Sequence, residues 1–151
     1  MRLRIAIATL AVMTAALLGP MGSTPATAIS CTIIGSKHLD NINGSSGRDI
    51  ICSLRGNDRV SARGGNDVVS GARGDDLIYG QAGADLLKGD RGGDILIGGT
   101  AHDDLRGGSG NDVIDALDNS GGDVVRGGPG RDVCYVDSAD IFAGCERRVV
   151  V

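Results

Sequence analysis

The chain has 151 residues, 26 of them glycine, with 41% hydrophobic and 2% aromatic residues and a formal net charge of −4. So little aromatic area disfavours an ordinary globular core of this length. Glycine well short of one third excludes collagen, and plentiful Ile, Leu and Val at low net charge argue against disorder. Glycine used at regular intervals for its backbone geometry remains, which points to repeats.

Residues 1–28 read as a secretory signal peptide: Arg2 and Arg4, then an apolar stretch from Ile5 to Leu18, then the small-residue cleavage site Ala26-Thr27-Ala28. The apolar run is short for a membrane span. Cleavage after Ala28 leaves all 19 acidic groups but 13 of the 15 basic ones, a net charge of −6. Ala28-Ile29-Ser30-Cys31 faintly resembles a lipobox, so acylation at Cys31 is an alternative; it would leave three cysteines, an odd number. Export favours disulfides over metal ligation for the four cysteines. Of three connectivities, the local one, Cys31 with Cys52 and Cys134 with Cys145, closes the shortest loops.

From residue 40 onward the sequence repeats every nine residues. Aspartate falls at Asp40, Asp49, Asp58, Asp67, Asp76, Asp85, Asp94, Asp103 and Asp112, and, after a two-residue slip, at Asp123 and Asp132. Two residues beyond each stands an apolar residue or cysteine, from Ile42 through Val125 to Cys134. With aspartate as position six, position four is glycine in most copies: Gly47, Gly56, Gly65, Gly74, Gly83, Gly92, Gly110 and Gly130. Each unit therefore reads as six turn residues ending in Asp, followed by a three-residue strand whose middle side chain, at position eight, points inward.

The runs Gly107-Gly108-Ser109-Gly110-Asn111-Asp112-Val113-Ile114 and Gly127-Gly128-Pro129-Gly130-Arg131-Asp132 match the nonapeptide Gly-Gly-x-Gly-x-Asp-x-(apolar)-x. On these residues the chain resembles the RTX, or haemolysin-type calcium-binding, repeat family from about Gly35 to Tyr135. The resemblance implies an all-β, right-handed parallel β-roll, a β-solenoid with two nonapeptides per coil, in which Asp49 stacks on Asp67 and Asp58 on Asp76. It also implies several calcium ions, held by the eleven repeat aspartates and by the backbone of the position-four turns. Stacked carboxylates repel, and a hard cation taking six to eight oxygens relieves that. Glycine at positions one, two and four is expected to supply positive φ and close approach.

Some copies depart from the pattern. Position two is Leu54, Arg63, Ala72, Gln81 or Asp90, and position four is His38 or Ala101. Arg55, Arg63, Arg73 and Arg91 lie in turns and could pair with the aspartates in a metal-free solenoid. The slip within Ala116 to Asp123 is expected to lengthen one turn, with Asp118 and Asn119 as substitute ligands. Solenoid ends need covers. Val136 to Gly144 leaves the period and is expected to fold back over the last coil. Cys31 and Cys52 stand 21 residues apart, three more than one coil, so the first coil should deviate from the regular roll.

The expected organisation is signal peptide 1–28, cap and first degenerate repeat 29–43, β-roll 44–135 and C-terminal cap 136–151. No catalytic motif accompanies His38 and His102, and an acidic chain almost without aromatics does not suit nucleic acid. The reading is a secreted, non-enzymatic calcium-binding protein. A calcium-rigidified adhesion or matrix protein is the first alternative, and a cryptic secreted hydrolase the second. Leu77, Tyr79, Ile95, Ile97 and Val113 face outward on one sheet and mark out an apolar stripe for cell-surface binding or self-association.

Overall fold

A computed structural model describes residues 30–118 and 122–150; residues 1–28, expected to be a signal peptide, and Asn119 lie outside the described residues. The chain is a parallel β-solenoid of about six turns, with no helix among the described residues. Strands alternate between two sheets. The odd sheet takes β1 (Ile33–Ile34), β3 (Ile50–Cys52), β5 (Val68–Arg73), β7 (Leu86–Arg91), β9 (Asp104–Ser109), β11 (Val124–Arg126) and β13 (Ile141–Ala143). The even sheet takes β2 (Asn41–Asn43), β4 (Arg59–Gly64), β6 (Leu77–Ala82), β8 (Ile95–Thr100), β10 (Val113–Asp115), β12 (Val133–Val136) and β14 (Arg147–Val150).

A single three-residue strand reaches only about 10 Å and buries nothing alone, so each coil depends on its neighbours. The register is 18 residues through the body of the roll, with Val69 beside Leu87 and Ile78 beside Leu96. Position-eight side chains consequently stack into one ladder: Ile51, Val69, Leu87, Leu105 and Val125 from the odd sheet, Val60, Ile78, Leu96, Ile114 and Cys134 from the even one. All are fully shielded from solvent. A core this thin has no room for aromatic rings.

The six central strands, β4 to β9, are six residues long, twice the expected length. Pairing continues around the corner into positions two and three, as in Ala72 beside Asp90 and Arg73 beside Arg91. Positive φ, expected at positions one, two and four, occurs from Leu54 to Gly110 at two and four only. Position-one glycines such as Gly71, Gly80 and Gly89 face inward and are buried. What they supply is space.

The slip is absorbed without breaking the roll: the register becomes 20 residues, with Asp104 beside Val124 and Val113 beside Val133. The tail does not double back. It adds a shorter coil whose strands extend both sheets in parallel, Val124 beside Ile141 and Val133 beside Arg147. Cys134–Cys145 ties this shortened coil to the core ladder at a Cα separation of 5.9 Å. At the other end β1 keeps the 18-residue register, Ile33 beside Ile51. The expected deviation is confined to Cys31, which bends back to reach Cys52 at 6.0 Å between Cα atoms. Because Cys31 is disulfide-bonded, it has no thiol to acylate.

Candidate metal centre

The repeat aspartates form two rows, one at each line of turns. In each row the backbone N–H of one aspartate donates to Oδ1 of the aspartate one coil further on: Asp49 to Asp67 at 2.7 Å, Asp58 to Asp76 at 2.8 Å, Asp76 to Asp94 at 2.8 Å and Asp85 to Asp103 at 2.8 Å. The same bond closes from Asp40 to Asp58 and from Asp67 to Asp85. It also spans the 20-residue steps, from Asp103 to Asp123 and Asp112 to Asp132. These carboxylates are almost wholly buried. One oxygen is thus satisfied by the coil before it.

The other oxygen is not. Oδ2 of Asp58, Asp67, Asp76, Asp85, Asp94, Asp103, Asp112 and Asp132 is buried with no hydrogen-bond partner. A buried, unpaired carboxylate oxygen is costly and requires an explanation. At Gly71, Gly80, Gly89, Gly107 and Gly127, position one of five units, the Oδ2 of the unit's own aspartate and a carbonyl oxygen of the next coil both lie close to where a β-carbon would stand, and at Gly98 the Oδ2 of Asp103 does so alone. A β-carbon on Gly89 would lie 2.6 Å from the Gly107 carbonyl oxygen, and one on Gly80 2.5 Å from that of Gly98, each also crowding the Oδ2 of Asp94 or Asp85. The cradle is therefore built of hard oxygens, with room that any side chain would fill. No three acidic, histidine or cysteine side chains converge among the described residues, so backbone carbonyls must supply the balance of a ligand set. Such a donor set fits calcium, which accepts carbonyl and carboxylate oxygens in irregular geometry.

The sites are not equivalent. At the N-terminal end serine takes the place of an ion: Ser45 donates its N–H and hydroxyl to Asp49 Oδ2 at 2.7 and 2.9 Å, and Ser36 N–H donates to Asp40 Oδ2 at 2.6 Å. Position one is Ser53 before Asp58 and Ala62 before Asp67, and the Ser53 hydroxyl donates to the Gly71 carbonyl at 2.7 Å. In the lengthened turn Asp118 accepts the Ala101 N–H at 3.0 Å.

Electrostatics follow this gradient. Burial pushes Asp94 and Asp103 up to about 7 and Asp76 and Asp85 up to about 6, overriding the N–H bond from the preceding coil, and repulsion within the row adds to the rise. Burial likewise raises Asp67, Asp112, Asp123 and Asp132. Asp49 is lowered, first by the Ser45 N–H. A roll without cations holds its central carboxylates against their preferred state.

The arginines offered as replacement partners do not act so: the ion pairs among the described residues are Arg106 and Arg126 with Asp104. His38 and His102 lie in turns of opposite rows and are exposed. Three features escaped the sequence reading. Asp140 continues one row by accepting the Asp123 N–H at 3.0 Å, and Glu146 continues the other by accepting that of Asp132 at 2.6 Å. Asp140-Ile141-Phe142 carries the Asp-x-apolar signal but 17 residues after Asp123, off the period. Position five forms a second ladder on the turn surface, in which Asn57, Asn66, Asp75 and Asn111 each accept an N–H one coil away.

The fold and these rows define a β-solenoid whose turns offer inter-coil oxygen cradles. The model of the RTX calcium-binding nonapeptide repeat matches residues 32–60, 53–87, 61–96, 88–118, 97–134 and 116–140, and the chain belongs to that family. No curated protein and no solved structure matches it.

Proposed function

We propose that this is a secreted protein whose calcium ions are structural, bound between stacked turns, and that it is not an enzyme. The orphaned Oδ2 row carries the reading. The strongest sites pair Asp76, Asp85, Asp94, Asp112 and Asp132 with the glycine five residues earlier, where Oδ2 and the next coil's carbonyl face one cradle that a β-carbon would fill; Asp103 shares the orphaned Oδ2 beside Gly98. Asp58 and Asp67 share the orphaned oxygen beside a filled cradle, Asp40 and Asp49 are already served by serine, and Asp123 lies at the lengthened turn. Calcium supplies the charge that these buried carboxylates require. Gly56, Gly65, Gly74, Gly83, Gly92 and Gly110 bring the turn backbone close to the preceding coil, and Gly47 and Gly130 occupy the same place nearer the ends. Two disulfides fit an extracellular setting, and no helix among the described residues is long and apolar enough to cross a membrane.

Asp94→Asn tests the site assignment. Asparagine keeps the Oδ1 acceptor and offers an N–H to the facing carbonyl, so it satisfies the cradle without a cation. Calorimetric titration is expected to find at least one calcium fewer, with the chelated protein as stable as the parent or more so. Unchanged stoichiometry would remove Asp94 from the ligand set.

A second reading has its own observation. Leu77, Ile95, Val113 and Val133 stand side by side across β6, β8, β10 and β12, flanked by Tyr79 beside Ile97. Ile95 is 42% exposed. Self-association or cell-surface contact through this stripe predicts that Ile95→Thr with Ile97→Thr lowers the sedimentation coefficient or abolishes retention on cells. If both are unchanged, the stripe is only a half-exposed strand surface.

A further inference from the structure

The cations of this acidic protein are not spread evenly. Position three of one row of turns holds Lys37, Arg55, Arg73 and Arg91 in four consecutive coils, whereas the opposite row has Ser46, Gly64, Ala82 and Thr100 there. The β-ladder stacks Arg55, Arg73 and Arg91 directly. A second column, at position nine of the odd sheet, runs Lys88, Arg106 and Arg126. Between the columns, small position-two residues such as Ala72, Gly108 and Gly128 form a floor, and with Arg73, Arg91, Arg106 and Arg126 they line a trough of about 560 Å³, with Lys88 beside Arg106 in the column. A second hollow of about 340 Å³ shares Ala72 and Arg73 with it and extends it to Lys37.

Arg106 and Arg126 share Asp104; Lys37, Arg55, Arg73, Lys88 and Arg91 have no ion pair among the described residues. The floor carries one carboxylate, Asp90, which accepts the Ser70 hydroxyl at 2.6 Å. Holding like charges in columns on a chain whose net charge is negative costs self-repulsion, and an anionic ligand relieves it.

We propose that this trough binds a linear acidic polysaccharide lying along the solenoid axis. Adjacent strands are about 4.8 Å apart, so a cation recurs at about that interval. A pyranose unit has a comparable length, and a chain of uronate sugars therefore meets a fresh guanidinium at each residue or two. Guanidinium forks bind carboxylates in two-point geometry. Nucleic acid fits less well, because no aromatic side chain lines the trough to stack a base. The inference deepens the adhesion alternative and rests on the folded roll, whichever residues hold calcium.

The test is affinity electrophoresis of the full, disulfide-bonded protein through gels containing hyaluronan, neutral dextran or single-stranded DNA, with circular dichroism read on the same samples in calcium and in chelator. Hyaluronan is expected to retard the protein while dextran does not, and added salt to weaken the effect. Arg73→Gln with Arg91→Gln, both at exposed positions, is expected to bind about tenfold more weakly with an unchanged spectrum. A folded roll that passes hyaluronan unretarded, a double variant that binds like the parent, or tighter binding to DNA would each overturn the proposal. A roll that forms equally without calcium sinks the calcium reading alone, and the hyaluronan result still decides the trough.

Discussion

Gly92→Ala is expected to lower the melting temperature by about 10 °C or more, whereas Ala72→Gly, two positions earlier in its repeat, is expected to raise it by about 3 °C. Gly92 has φ +134°, outside the left-handed well that other residues reach, and a β-carbon there would lie 2.5 Å from the Gly74 carbonyl carbon of the preceding coil. Backbone strain of about 1–3 kcal/mol adds to an overpacking cost of similar size, and the obstacle is main chain, which cannot swing aside. Ala72 instead sits at φ +73°, within the left-handed well, where alanine costs about 1–2 kcal/mol. Glycine removes that cost but returns part of it through the greater freedom of its unfolded chain, leaving a gain below about 1 kcal/mol. Thermal melts of the two variants in millimolar calcium check both signs. Equal shifts would mean that the turns do not impose positive φ as described.

The second expected result is a pH dependence of stability that differs with and without calcium. The folded carboxylates of Asp76, Asp85, Asp94 and Asp103 titrate near 6 to 7 because they are buried, against 3.8 in an ordinary setting. The native state therefore binds protons more tightly than the unfolded chain does. Linkage makes this a stabilisation fully present below about pH 4 and lost as pH rises through 6 and 7. In chelator, the roll should melt at a lower temperature at pH 8 than at pH 5. Calcium competes with those same protons, so the increment it adds should grow over that interval. Melting temperatures at pH 5, 6, 7 and 8, with and without calcium, give both curves. Parallel curves would separate calcium from these aspartates.

The repeat itself was legible because its chemistry is strictly periodic. Asp at position six and an apolar residue or cysteine at position eight recur through eleven units; the resemblance to the repeat family then implied two units per coil and so Asp49 stacked on Asp67, and the structure pairs them by a hydrogen bond. Position-one glycine was expected to supply positive φ as well as close approach, but it is absent from the positive-φ residues, and the constraint is its own unit's carboxylate together with a carbonyl of the next coil. A single sequence carries no sign of that distinction. The tail was misread for a related reason. Asp140 and Glu146 prolong the rows in coils of 17 and 14 residues, and a reading tied to nine loses them as soon as coil length changes. The basic trough was hidden because its cations stand singly at positions three and nine of successive units, and only the stacking of coils gathers them into two columns on one face.

The central claim is that calcium completes a row of buried carboxylate oxygens and so holds the roll together. Far-ultraviolet circular dichroism of the purified protein at pH 8, disulfides intact, measured in chelator and then in millimolar calcium, tests it most directly. Calcium is predicted to increase the β signal and raise the melting temperature. The same β signal and the same melting temperature in both conditions would contradict it.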